Sequence, residues 1–112
     1  MKYKQVNIKP EDKKAFNELE KYNIESSLPN YIFHYLYFKN KRLAVKAATV
    51  IRNNGYEIEI RLSNYDDNWL VYAKKKTALS EQIIAEMRNE FEIIAQGFKG
   101  EYDGWEVEVP KP

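Results

Sequence analysis

His34 is the one histidine in the chain, and it lies in a dense aromatic run, YIFHYLYF, from Tyr31 to Phe38. Histidine is the commonest general acid or base, but such work needs a second positioned group, a nucleophile or an orienting carboxylate. No Ser-His-Asp or Cys-His pattern accompanies it. It alternates with Ile32 and Leu36, so the period of two predicts a shared apolar face and a structural, hydrogen-bonded role. Asp66 and Asp67, in NYDDN, could offer carboxylates to Mg²⁺ or Ca²⁺. The ligand spacing of a calcium loop is missing, and the stretch reads as a polar turn. Lys74 to Lys76 could touch phosphate, but only alternate side chains of a strand share a direction, which reads as a solvated strand end. There is no cysteine, which removes disulfides, thiolate metal sites and a cysteine nucleophile together. No HExxH, GxSxG or phosphate-cradling glycine loop occurs. The sequence therefore predicts no catalytic residue, no metal site and no cofactor.

The elements that must position these residues belong to one domain, as expected for 112 residues. With 44% hydrophobic and 14% aromatic residues, the chain has enough apolar mass for a core. Eighteen Lys and Arg against seventeen Asp and Glu leave a net charge of +1. That balance gives no global pull toward a polyanion, and binding to nucleic acid would need a local basic patch. Met1 to Pro10 is polar and no apolar run reaches ~18 residues, which reads as a soluble, cytoplasmic protein with no membrane partner.

Pro10 to about Asn23 reads as a helix, with Pro10 in the first turn and Glu11 and Asp12 facing the positive end of its dipole. Its narrow stripe of Phe16 and Leu19 predicts docking on the rest of the chain. Residues 1–29 are thus a helix and connector, and 30–112 the main domain. Tyr31–Phe38 is a buried strand. Asn40 caps a helix with Leu43, Ala44, Ala47, Ala48 and Ile51 inward, and Gly55 ends it. Tyr56 to Ser63 alternates as a half-exposed strand, and Trp69–Lys75 is the other arm of its hairpin. Ser80 caps a helix with Ile83, Met87, Phe91, Ile94 and Ala95 inward, stopped by Gly97 or Gly100. Asp103-Gly104 then redirects the chain into a last strand, Trp105–Val109, with Gly104 at positive φ and Trp105 under the helices. Right-handed crossovers turn this order into a ferredoxin-like βαββαβ fold. It is an α+β four-stranded antiparallel sheet in the order 4-1-3-2, with two helices on one face plus the N-terminal helix.

The other face of that sheet would show Tyr31, Phe33, Tyr35 and Tyr37 beside Leu70, Tyr72 and Lys74. Rings on central strands can stack bases, so single-stranded RNA binding through Tyr35, Tyr37 and Tyr72 is one reading. NWLVYAKK does not fit the RNA-recognition consensus. Glu57, Glu59, Glu106 and Glu108 would outnumber Arg61 and Lys74, so direct binding of nucleic acid is not expected there. An apolar centre with a charged rim suits a protein partner, or partial cover by the N-terminal helix.

Four segments, HYLYF (His34 to Phe38), GYEIEIR (Gly55 to Arg61), WLVYA (Trp69 to Ala73) and GEYDGWE (Gly100 to Glu106), occur in the order found in one family. Together the chain resembles the regulator of ribonuclease activity B family. The resemblance implies a ferredoxin-like, non-catalytic bacterial protein that binds ribonuclease E, or another RNA-processing enzyme, and inhibits it. It also adds Tyr102, Asp103 and Trp105 to Tyr35, Tyr37 and Tyr72 as partner-binding candidates. Inhibitors of this family are strongly acidic, and the near-neutral charge here departs from them.

Overall fold

Strand β1, Pro29–Phe38, is the centre of the molecule, because its alternate side chains Ile32, His34, Leu36 and Phe38 are all buried. The computed structural model describes residues 8–20, 29–63 and 67–108. The expected end of the first helix near Asn23, most of the connector, Asp66 and Val109 lie outside the described residues. The remaining elements are α1 (Pro10–Glu20), α2 (Lys41–Asn53), β2 (Glu57–Leu62), β3 (Trp69–Ala78), α3 (Glu81–Gly97) and β4 (Glu101–Val107). The sheet runs β2-β3-β1-β4, every neighbouring pair antiparallel, in the expected order 4-1-3-2. β3 runs three residues past Lys75, because Pro29 to Tyr31 extend β1 far enough to pair with Lys76 to Ala78.

Local chemistry sets the helix ends. Asn40 and Ser80 lie in extended backbone, and their side chains accept from the amides of Leu43 and Ile83. Such caps satisfy donors that a first turn leaves open. Ala44, Ala47, Ala48 and Ile51 of α2 and Phe91 and Ala95 of α3 pack with Leu36, Phe38, Val71 and Ala73 of the central strands. A second cluster, Ile32, Leu79, Ile84 and Met87, takes in Trp105 and Val107 of β4. Phe16 and Leu19 of α1 also join it. The expected cover of the open tyrosine face by α1 is therefore not formed by these side chains. They fill an apolar gap beside Ile32 and Ile84, on the sheet side that also carries His34 and Leu36.

α3 ends at Gly97, one of the two expected stops, but the residue that turns the chain is another one. Neither Gly97 nor Gly100 is left-handed; Lys99 is, at φ 58°. The amide of Gly100 reaches Ala95 O at 2.7 Å and that of Lys99 reaches Gln96 O at 3.2 Å, the paired bonds of a Schellman ending. Gly100 is needed for space. A Cβ there would sit 2.5 Å from Tyr37 O and closer still to the Phe38 ring. Gly100→Ala is expected to cost about 1–3 kcal/mol through overpacking, read as a lower urea midpoint at unchanged m-value.

Asp103-Gly104 has a different place from the one expected. The redirection is complete by Gly100, and the pair sits inside β4. Tyr35 faces Gly104 while Leu36 faces Tyr102, so Asp103 is the extra residue of a β-bulge. Gly104 has the expected positive φ, 114°. The bulge re-aims the strand. Tyr102 and Trp105 are three residues apart and would alternate to opposite faces in a regular strand. With Asp103 inserted, Tyr102 faces Leu36 and Trp105 faces His34, both on the buried side.

Candidate functional site

The side of the sheet away from His34 is an aromatic strip. Across the two central strands the register sets Lys76 beside Tyr31, Lys74 beside Phe33, Tyr72 beside Tyr35 and Leu70 beside Tyr37. Ring centroids lie 6.3 Å apart for Tyr31–Phe33, 5.5 Å for Phe33–Tyr72 and 5.3 Å for Tyr35–Tyr72. Lys74 and Lys76 approach the Tyr31 ring at 5.3 and 5.2 Å, and Arg61 lies 6.0 Å from that of Tyr72, within cation–π range. These tyrosines are half-buried by their neighbours, so they offer rigid rings at the surface.

Carboxylates flank the strip. Glu57 and Glu59 of β2 pair with Lys74 and Tyr72, and Glu106 of β4 faces Phe33. The Tyr35 hydroxyl donates to Glu106 at 3.1 Å. Burial first, and then that hydrogen bond, push the Tyr35 phenol up to about 12. The Tyr72 phenol is also raised, by burial and then by Glu59. Both stay protonated donors near neutrality. Glu57, Glu59, Tyr72 and Lys74 line a shallow cleft of about 180 Å³.

The six candidate residues do not form one patch. Tyr35, Tyr37 and Tyr72 share the open face. Asp103 is exposed at the bulge. Tyr102 and Trp105 turn the other way. Tyr102 stacks on Phe91 at 5.4 Å and its hydroxyl hydrogen-bonds His34 Nδ1 at 2.8 Å. Trp105 Nε1 donates to Asp12 Oδ1 at 2.8 Å.

His34 is sealed. It is 0% exposed, stacks on Phe91 at 4.1 Å, and its Nε2 has no partner among the described residues. Burial, and then the nearby Arg88 charge, lower its pKa to about 3, so it is neutral at ordinary pH. An imidazole with no exposed surface cannot reach a substrate proton. Among the described residues no group of three or more His, Asp or Glu could hold a metal ion. Among the described residues no helix is long and apolar enough to cross a membrane.

Two features escape the residue-by-residue reading. Asp12, which the sequence places as a partner of the α1 dipole, is 3% exposed and accepts from Arg88 Nε at 2.5 Å and Nη2 at 2.9 Å. No local signal pairs residues this distant in sequence. The second feature, the charge on the outer side of α2, was legible: no Asp or Glu occurs between Phe38 and Glu57.

This fold and face define a class, the small α+β proteins with an open antiparallel sheet. Within that class the identity is specific. The family model described as regulator of ribonuclease activity B matches residues 9–107, and the chain belongs to that family. It is a regulatory family acting on ribonuclease activity. Comparison with curated proteins gives no match.

Proposed function

We propose that this chain is a non-catalytic regulator that lowers the activity of a ribonuclease by occupying part of its surface. Ribonuclease E is the enzyme the family resemblance points to, and the bacterial cytoplasm is where the two would meet. The carrying observation is a family match over nearly the whole chain in a molecule with an aromatic, carboxylate-rimmed sheet face. On this reading, residues 30–112 are a ferredoxin-like docking domain, set apart from the N-terminal 1–29, of which α1 is a strap behind the sheet. Tyr35, Tyr37 and Tyr72 are the anchors. Rigid aromatic side chains within a polar rim are the residue types that dominate interface energetics. Tyr102 and Trp105 act indirectly, by fixing β4 beside the strip, while Asp103 makes the bulge that allows it.

RNA on these same tyrosines is disfavoured by charge. Glu57, Glu59, Glu101, Glu106 and Glu108 flank the strip against Arg61, Lys74 and Lys76. A phosphate backbone laid there would meet net repulsion.

The test is retention on immobilised full-length ribonuclease E, with RNA cleavage followed in parallel. Wild-type protein should bind and slow cleavage. A Tyr35→Ala/Tyr72→Ala variant should bind at least about tenfold more weakly, the loss of one or two interface anchors. Unchanged cleavage at saturating protein would reject the regulator, whereas full binding by the double variant would reject this face.

A further inference from the structure

We infer that the outer side of α2 is a binding surface for the phosphate backbone of single-stranded RNA, separate from the tyrosine face. The sequence from Lys39 to Asn54 contains Lys39, Lys41, Arg42, Lys46 and Arg52 and no acidic residue. All five cations are exposed. None of them is in an ion pair among the described residues. Lys41 has one neighbour of note, the Trp69 ring at 5.5 Å. A chain of net charge +1 thus concentrates uncompensated positive charge on one helix and its lead-in.

At the start of α2 the placement works against the helix itself, although Arg52 in the last turn does not. The first turn of α2 carries Lys41 and Arg42 and no acid. The dipole already makes that end positive, so carboxylates are favoured there and cations disfavoured. By contrast, α1 and α3 both have acids in the first turn. Cations kept where they weaken the helix point to a use outside it.

The face also selects among anionic partners. The apolar side of α2 (Ala44, Ala47, Ala48 and Ile51) is already buried in the core. It is therefore unavailable for the insertion by which amphipathic helices bind membranes. Outward, the large apolar residues are Val45 and Val50, 43% and 37% exposed, without an aromatic anchor between them. Protein interfaces need an apolar, well-packed centre. Phosphate contacts do not, because their affinity comes from counterion release. Arg42 and Lys46 are one turn apart, with Thr49 and Asn53 continuing their line for about 16 Å and Lys41 and Arg52 flanking it on one side, so the face can follow an extended strand. Its core contacts are to Leu36, Phe38, Val71 and Ala73, so this stripe faces away from Tyr35 and Tyr72. One molecule could then hold RNA and a protein partner at once.

The test is fluorescence anisotropy with a labelled mixed-sequence single-stranded RNA 20-mer and the whole chain. Four or five phosphate contacts at about 0.7 each predict a log K against log salt slope near −3, or roughly a 50-fold loss between 50 and 200 mM salt. Arg42→Gln/Lys46→Gln/Arg52→Gln should bind more than about tenfold more weakly with a shallower slope. Its circular dichroism melt should stay close to that of wild type, since Arg42 opposes the dipole while Arg52, in the last turn, favours it. Tyr35→Ala/Tyr72→Ala should bind RNA as wild type does. The inference is overturned by no salt-sensitive binding at 50 mM, by equal RNA affinity of the folded triple variant, or by dependence on the tyrosines. Equal binding of a poly-glutamate peptide, or tighter binding to phosphatidylserine vesicles, also overturns it. None of these readouts uses a ribonuclease, so failure here is distinct from failure of docking at the sheet.

Discussion

Acidification from neutral pH to pH 3 is expected to remove about 4 kcal/mol of folding stability through His34 alone. The imidazole titrates near 6.5 when free and near 3 in the folded chain, where burial dominates and the Arg88 charge adds to it. Between those values the unfolded chain binds a proton that the folded chain refuses. Stability is therefore complete above about pH 6.5 and declines by up to about 1.4 kcal/mol per pH unit as the pH falls toward 3. Since whole domains are stable by only about 5–15 kcal/mol, this one side chain can bring the protein to its acid transition.

The control is a side chain that does not titrate. Glu92, held low chiefly by its hydrogen bond from Lys9, also loses stability as it protonates, and so contributes to any acid profile of this protein. His34→Gln keeps that contribution and removes the imidazole. Urea melts at pH 7, 5.5, 4.5 and 3.5 should show wild type falling more steeply than the variant, the gap narrowing or reversing by about 4 kcal/mol. Parallel profiles would mean that the imidazole accepts its proton inside the fold.

The contrast between His34 and Tyr102 shows how much the sequence could disclose. The buried fate of His34 followed from its alternation with Ile32 and Leu36, because a strand has a fixed period. The α2 stripe and Gly55, at φ 94°, were equally local and legible. The partner of His34 was not. Tyr102 reaches it only because Asp103 is unpaired, and a bulge is fixed by the strand opposite. The same applies to Gly100, whose missing Cβ matters because of Phe38, far away in sequence. Of the candidate face, the ring-bearing columns were visible in YIFHYLYF and WLVYA. The place of Trp105 under the helices was visible as well, from the alternation of WEVEV, but the burial of Tyr102 was not. Phe16 and Leu19 illustrate the same limit, since an apolar stripe says that a helix docks, not on which side.

That docking side rests on Asp12, and Asp12→Ala is expected to destabilise the chain by about 3–5 kcal/mol. The Asp12 and Arg88 side chains retain 4% and 13% of their exposure, so the pair is desolvated. The gross attraction of such a pair is largely offset by the cost of burying it, and its presence is not itself a large gain. Removing one partner is different, because the other charge stays buried without its counterion. Arg88 would keep Glu92 at 3.2 Å and Glu11 at 3.7 Å, which places the effect toward the lower end. The Trp105 indole N–H would also lose its acceptor. A loss of about 3 kcal/mol corresponds to a fall in Tm of roughly 12–24 °C for a domain near this size. Arg88→Met should relieve part of that loss in the Asp12→Ala background, since it removes the stranded charge while leaving apolar bulk against the Tyr102 ring, which Arg88 now covers at 5.2 Å. A double variant less stable than Asp12→Ala alone would instead make the guanidinium, through Glu92 and Tyr102, the stabilising member. Hydrogen exchange separates the remaining outcome: if Asp12→Ala frees the amides of α1 while those of β1 and β3 stay protected, the pair holds the strap to the sheet and the core stands without it.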